Sequence, residues 1–331
     1  MDRGTRRAAR AGHQLAAALI MMACALLCIL AGCSSATPEI GARESVNDYS
    51  WEELSAISEE IAAALSDEAA LDIARSYHLV NDDGKLDGSQ SKEIVLSDGR
   101  KANVTIVGFR QDSRADGALT GITFMFEGSI DMRAMNSGTG YGWLDEDDEA
   151  YLFGGWATCE LRGWLNGDFA DMLPVDLSSV IQKVEKTSTA ATSEQIGEMD
   201  DGTIASSLDS LLEKTEDVLW LPSASEVAGI SDDTDASFDY EDVGYRDWLR
   251  SEGDQYQLFV DGGVVEEEPS LLLIKKSITQ SGEGDACSWW LRSMYDSFYQ
   301  VAQDGTMDRY ENEESPASPG DSRGIVPCFC I

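Results

Sequence analysis

The chain has 331 residues, with 24 Lys and Arg against 61 Asp and Glu, for a formal net charge of −37. That field repels phosphate backbones and anionic headgroups, which excludes a nucleic-acid groove and disfavours adsorption to a bare anionic lipid surface. Eight Trp and ten Tyr are too many for a disordered acidic chain, so the acid belongs on loops and surfaces of a folded body.

Arg3, Arg6, Arg7 and Arg10 precede an apolar run from Leu15 to Ala31. A basic head, a short apolar stretch and a small-residue junction describe an export signal over residues 1–32. The junction Leu30-Ala31-Gly32-Cys33 resembles a bacterial lipobox. That resemblance implies cleavage before Cys33, a diacylglyceryl group on its sulfur, and a chain held on the outer face of the bacterial cell membrane. Two acyl chains suffice for stable anchoring. The alternative is an uncleaved membrane helix, and the arginines would still keep the remainder outside the cytoplasm. Without residues 1–32 there remain 20 basic and 60 acidic residues, a net charge of −40. Such acidity also favours association with cations, Ca²⁺ among them. His78 is the one histidine left, which excludes His-rich metal sites and leaves any Ser-His-Asp mechanism dependent on it alone. Its place at a helix end suits a protonatable side chain without any catalytic role. No metal site and no cofactor are predicted.

Residues 33–49 read as a polar tether, followed by an N-terminal α+β region (50–149) and a second α+β domain (150–331). Ser50-Trp51-Glu52-Glu53 fits a capping box that opens a helix carrying Leu54, Ile57, Ile61 and Leu65. Asp67 is placed to cap a second helix, making a helix pair. Asn81 to Gly88 is turn chemistry, and neither glycine there leaves a full set of calcium ligands. A hairpin follows, Glu93 to Leu96 and Asn103 to Phe109 around Asp98-Gly99, then a third strand from Gly121 to Phe126. Asp145 to Glu149 is an acidic loop.

Farther on, Leu161, Trp164, Leu165, Phe169, Met172 and Leu173 mark one apolar helix face ended by Pro174. Val180 to Val184 and Val218 to Leu221 read as strands, with a polar excursion from Ser188 to Ser210 between them. Ser223-Ala224-Ser225-Glu226 fits a second capping box, for a helix ending near Gly229. Ser231 to Asp242 is an acidic insertion. Strands are predicted over Gln257–Val260, Ser288–Arg292, Tyr299–Ala302 and Ile325–Ile331. The cysteines Cys159, Cys287, Cys328 and Cys330 are read first as small buried hydrophobes. A disulfide from Cys287 to Cys328 or Cys330 is the second reading, because an exported chain permits one.

Three elements recur in order: Trp156-x5-Arg162-Gly163-Trp164-Leu165-Asn166, then Val218-Leu219-Trp220-Leu221-Pro222-Ser223-x2-Glu226, then Ser288-Trp289-Trp290-Leu291-Arg292-Ser293. With Asp304-Gly305 and Arg323-Gly324-Ile325-Val326-Pro327 they resemble domain-of-unknown-function family 6273 of bacterial surface proteins. The resemblance spans Ala150 to Ile331. It implies a C-type-lectin-like α+β domain with short irregular strands, distantly similar to formylglycine-generating-enzyme-like folds, and it carries no catalytic residue. Adjacent Trp289 and Trp290 face opposite sides of a strand. Arg162 and Arg292, set in apolar stretches, need carboxylate or carbonyl partners. Trp156, Arg162, Trp164, Asn166, Trp289, Trp290 and Arg292 therefore form either a structural lock or the lining of a ligand groove. The expected function is a non-enzymatic, lipid-anchored binding module for glycan, peptide or envelope protein. The alternative is an extracytoplasmic enzyme, either a carboxylate-based hydrolase or a cysteine/copper oxidase-like protein.

Overall fold

The computed structural model describes residues 40–137, 155–190, 211–230 and 243–331, the last stretch without 267, 295–297, 309, 313, 314 and 317. Cys33 and its leader, the acidic loop Asp145 to Glu149, and the stretches 191–210 and 231–242 lie outside the described residues. Ala42–Ile331 form one compact unit. Among the described residues, no helix is long and apolar enough to cross a membrane.

The unit is mixed α+β, with short helices and several small antiparallel sheets. Ahead of the first long helix, Val46 and Tyr49 are buried and Asn47 Oδ1 accepts the Glu93 N–H, so the chain is docked from Val46 onward. Helix α1 (Trp51–Ala62) begins with the predicted capping box, Ser50 bonding the Glu53 amide and Glu53 the Ser50 amide. Helix α2 (Asp67–Ser76) is capped by Ser66, whose hydroxyl accepts the Ala69 N–H, and not by Asp67. Asp67 is instead the first helical residue, where its charge suits the macrodipole. His78 ends α2 in a left-handed conformation, with the His78 and Leu79 amides bonding Arg75 and Ala74 carbonyls in the Schellman pattern.

Strands β1 (Ser91–Val95), β2 (Lys101–Phe109) and β3 (Ile122–Phe126) follow as predicted and pair antiparallel. Gly121 precedes β3 because α1 crosses there: a Cβ would stand 1.9 Å from the Ser58 carbonyl oxygen. The short β4 (Met132–Arg133) leads out of this region. Helices α3 (Gly155–Thr158) and α4 (Glu160–Trp164) come next. The single helix expected through Leu173 does not persist. It passes into a π turn at Leu165–Phe169 and a 3-10 turn at Ala170–Met172. Gly163 and Gly167 weaken the regular ladder by about 1 kcal/mol each, while Leu161, Leu165, Phe169 and Leu173 still face the core.

A short α5 (Val175–Ser178) leads to β5 (Val184–Thr189), which pairs with β6 (Leu212–Asp217). These strands replace the predicted Val180–Val184 and Val218–Leu221. Of the expected segments only Val184 joins a strand, and the remainder makes isolated bridges to the chain's last strand through Gln182 and Trp220. Helix α6 (Ala224–Ala228) carries the second capping box and stops at Gly229. After α7 (Val243–Arg250), the segment expected as a strand is α8 (Gln257–Asp261), since so short an apolar run, Leu258 to Val260, has no decisive period.

Strands β7 (Lys275–Thr279) and β8 (Gly282–Cys287) form a hairpin. Then come β9 (Trp289–Met294), β10 (Phe298–Val301), β11 (Met307–Asp308), β12 (Tyr310–Asn312), β13 (Ser315–Pro316), β14 (Arg323–Gly324) and β15 (Cys328–Cys330). Only Cys328–Cys330 of the predicted Ile325–Ile331 is strand. The larger sheets run β1-β2-β3-β15 and β11-β10-β9-β14-β4.

Within the β1-β2-β3-β15 sheet, β3 and β15 are buried on both faces, while β1 and the start of β2 expose one. Phe124, Phe126 and Phe329 pack beneath Trp51 of α1, with ring centroids 5.4 Å apart for Trp51–Phe124 and for Phe124–Phe329. Thr123, Cys328 and Cys330 turn to the opposite face, as period-two alternation requires. What they meet there is polar.

Candidate functional site

The residues singled out by the sequence pattern turn inward. Asp217, fully buried, accepts the Trp156 Nε1–H at 3.0 Å, the Arg162 Nε–H at 2.7 Å and the Thr215 hydroxyl at 2.6 Å. Asn166, in the π turn, donates to the Arg162 and Leu219 carbonyls and accepts the Val218 and Leu219 amides at 2.8 and 3.1 Å. One side chain thus staples the turn to the segment after β6. Asn166→Ala should cost about 2–3 kcal/mol, because two backbone amides and a carbonyl lose their partner; a urea-unfolding midpoint measures it. Trp164 is half-buried, with the Arg133 guanidinium 4.0 Å above its ring. Trp289 and Trp290, both fully buried, donate in different directions, to the Leu273 and Arg133 carbonyls at 2.9 and 3.0 Å.

Arg292 of β9 is fully buried. It makes a two-pronged ion pair with Glu226 and donates to the carbonyls of Leu221 at 3.0 Å and Glu252 at 2.7 Å. Glu226 is the same residue that completes the α6 capping box. Its carboxyl is held at about 2, the positive charges of Arg292 and Lys186 outweighing burial, which acts in the opposite sense. Lys186 of β5, also buried, touches Glu226 and lies 2.5 Å from Asp112 Oδ1. Asp112 Oδ2 accepts the Thr123 hydroxyl at 2.6 Å. The Tyr256 hydroxyl lies 3.3 Å from Asp112 Oδ1 and 3.4 Å from Lys186 Nζ, and the Trp220 ring is 5.0 Å from Nζ. Glu252 accepts from Ser293 and from the Thr189 amide and hydroxyl. Burial pushes the Glu252 carboxyl up.

This cluster lies on the polar face of the β1-β2-β3-β15 sheet. A backbone bridge between Ser113 and Glu185 sets Asp112 and Lys186 side by side. Sequence reasoning found Arg292, and saw Glu226 as a cap and a member of the second motif but not as its partner. It missed Asp112, Lys186, Glu252 and Tyr256. The one local signal was Lys186 in register with Val184 and Ser188, a charge on the inward face of an alternating strand.

Cys159, Cys287, Cys328 and Cys330 are all free and buried, so no disulfide joins Cys287 to the last strand. Cys287 sits in the β7–β8 hairpin while Cys328 and Cys330 belong to another sheet. Burial raises the Cys159 thiol to about 12 and pushes Cys328 and Cys330 well above the ordinary thiol range, helped by the Asp112 and Glu226 charges. The thiolate is the nucleophile and the metal ligand, so these groups are held in the inert form.

Lys275 opens β7 and is 6% exposed. Burial lowers it from 10.5 to about 8, opposed by the Glu127 charge. Folding therefore carries a charge-burial penalty at neutral pH that lifts as pH climbs from about 8 to 10.5. Lys275→Met should raise stability at pH 7 by about 2 kcal/mol. Chemical denaturation at pH 7 and pH 10 should show the gain shrinking at the higher pH.

One open groove of about 310 Å³ lies between the β1–β2 hairpin and the β7–β8 hairpin. Glu93, Lys101, Asn103, Glu127, Lys276 and Glu283 line it. Lys101 pairs with Glu93 at 2.9 Å and Lys276 with Glu283 at 3.1 Å, both exposed. The segment after β3 is joined to β7 by the Ser129–Lys276 and Ile278–Ser129 backbone bonds, each 2.8 Å. Among the described residues, no group of three or more His, Cys, Asp or Glu is placed to hold a metal ion.

A mixed α+β body closed around buried Arg–carboxylate and Trp–carbonyl bonds is thus the class of structure these motifs build. The chain belongs to the family described as Domain of unknown function (DUF6273), whose profile matches residues 144–331. No curated protein and no solved structure matches it.

Proposed function

We propose that this chain is an extracytoplasmic, lipid-anchored binding module that takes a polar ligand, a glycan or a peptide, in the groove between the β1–β2 and β7–β8 hairpins. The observation that carries this reading is the contrast between the two polar sites. The buried acid and base groups are sealed in the core, whereas the groove offers carboxylates, ammonium groups and an amide to solvent. Exposed side chains of both signs suit recognition by hydrogen bonds. The Arg3 to Cys33 leader supports the anchor, and a net charge of −40 after processing supports a body that stands off the lipid surface. The lectin-like character implied by the Trp/Arg motifs fits the same reading.

A glycan array and a peptide pull-down with the Ala42–Ile331 unit test it. A ligand whose binding is lost in the Lys101→Ala/Lys276→Ala double variant is the expected result. Binding unaffected by that change, or no specific ligand at all, would refute the groove assignment. Mass spectrometry of the membrane fraction tests the anchor separately: an intact leader or an unmodified thiol at Cys33 would overturn it.

A further inference from the structure

The buried cluster holds the components of a condensation reaction. Lys186 Nζ lies 2.5 Å from Asp112 Oδ1, within attacking reach of the Asp112 carboxyl carbon, and Glu226 contacts the same nitrogen. All three groups are buried to 5% exposure or less. The aspartate is held from several sides. Its carbonyl accepts the Thr120 amide at 2.9 Å and the Thr120 hydroxyl at 3.1 Å, and its Oδ2 accepts the Thr123 hydroxyl at 2.6 Å. The lysine is fixed by the Ser113–Glu185 bridge and by the Trp220 ring. Two reacting groups so confined behave as an intramolecular pair of very high effective concentration.

We infer that Lys186 and Asp112 form an intramolecular isopeptide bond, with Glu226 as the proton relay. The balance closes without an added reactant. One proton moves from the Lys186 ammonium to the Asp112 carboxylate, giving an amine and a carboxylic acid. Nζ attacks Cγ and forms the C–N bond while Glu226 takes a second proton from Nζ. Glu226 returns that proton to the departing hydroxyl, the C–O bond breaks, and one water leaves. One positive and one negative charge disappear together, and nothing is oxidised or reduced.

The electrostatics favour this outcome. A buried ion pair must offset the desolvation of both ions, whereas a buried amide bears no net charge. Once the amide forms, Glu226 keeps its own counter-ion, Arg292, in a two-pronged pair. Arg292 is thus the positioning residue that holds the relay carboxylate against Nζ. The aromatic wall of Trp220 and Tyr256 keeps water from reversing the step.

The test is made on the full chain, expressed in a bacterial host and digested with trypsin under denaturing conditions. The expected product is a branched peptide joining Gln111–Arg114 to Val184–Lys214, one water lighter than the sum of its two arms and uncleaved after Lys186. Recovery of Gln111–Arg114 and of Val184–Lys186 as separate linear peptides from the wild type would overturn the inference. Lys186→Arg keeps the cation but is not an amine nucleophile, and should give only linear peptides. A branched product that survives this change would also overturn the assignment. The result is independent of any ligand in the groove.

Discussion

Arg292→Met is expected to destabilise the folded unit by about 3–5 kcal/mol, the cost of stranding one partner of a buried ion pair. The guanidinium meets the Glu226 carboxylate and the Leu221 and Glu252 carbonyls with no exposed surface of its own. Methionine fills much of the volume but satisfies none of these acceptors, and Glu226 loses its two-pronged counter-ion. The effect has a defined pH dependence. Glu226 is held at about 2 in the folded state against an ordinary 4.5, so the stability it contributes is fully present above pH 4.5 and is lost as pH falls toward 2. Urea-unfolding midpoints at pH 7 and pH 3 should therefore show the gap between wild type and variant narrowing on acidification. An equal gap at both pH values would mean that the loss comes from packing and not from charge.

Trp290→Ala should cost about 3–5 kcal/mol, as deletion of a fully buried indole removes its burial and leaves a cavity. The ring packs edge-on against Phe298, with centroids 6.5 Å apart, and carries the Arg323 guanidinium 5.8 Å from its centre. Its Nε1–H bonds the Arg133 carbonyl of β4, two strands away in the same sheet. Trp290→Phe separates the contributions: it keeps most of the apolar contact and loses the bond to β4, so its loss should be well below that of the alanine variant. Thermal unfolding followed by near-ultraviolet circular dichroism reads both. Similar losses for the two variants would show that the hydrogen bond, not the buried area, dominates.

The two capping boxes were legible because everything they need lies within four residues. Ser50 with Glu53 and Ser223 with Glu226 satisfy the first amides of their helices before any tertiary contact forms. The β1–β2 hairpin was legible for the same reason, its turn residues sitting between two alternating runs. The opposite facing of Trp289 and Trp290, and the need of Arg162 and Arg292 for partners, also followed from residue chemistry. Gln257–Val260 was misread because three apolar residues fit either period, and the strands around Val184 and Val218 were displaced by pairing that only the assembled fold supplies.

The sequence by itself determined the acidic surface, the cap-defined helices, the first hairpin and the membership of its C-terminal region in a recognisable pattern. These are local properties, governed by spacings of a few residues and by summed charge. Tertiary structure alone decided which acid meets which base. Asp112 meets Lys186 across 74 positions, and Arg292 meets Glu226 across 66. The physical reason is desolvation. A Lys, a Glu or an Asp reads as surface in any sequence, and becomes a paired interior charge only when distant strands close over it and leave it no solvent but its partners.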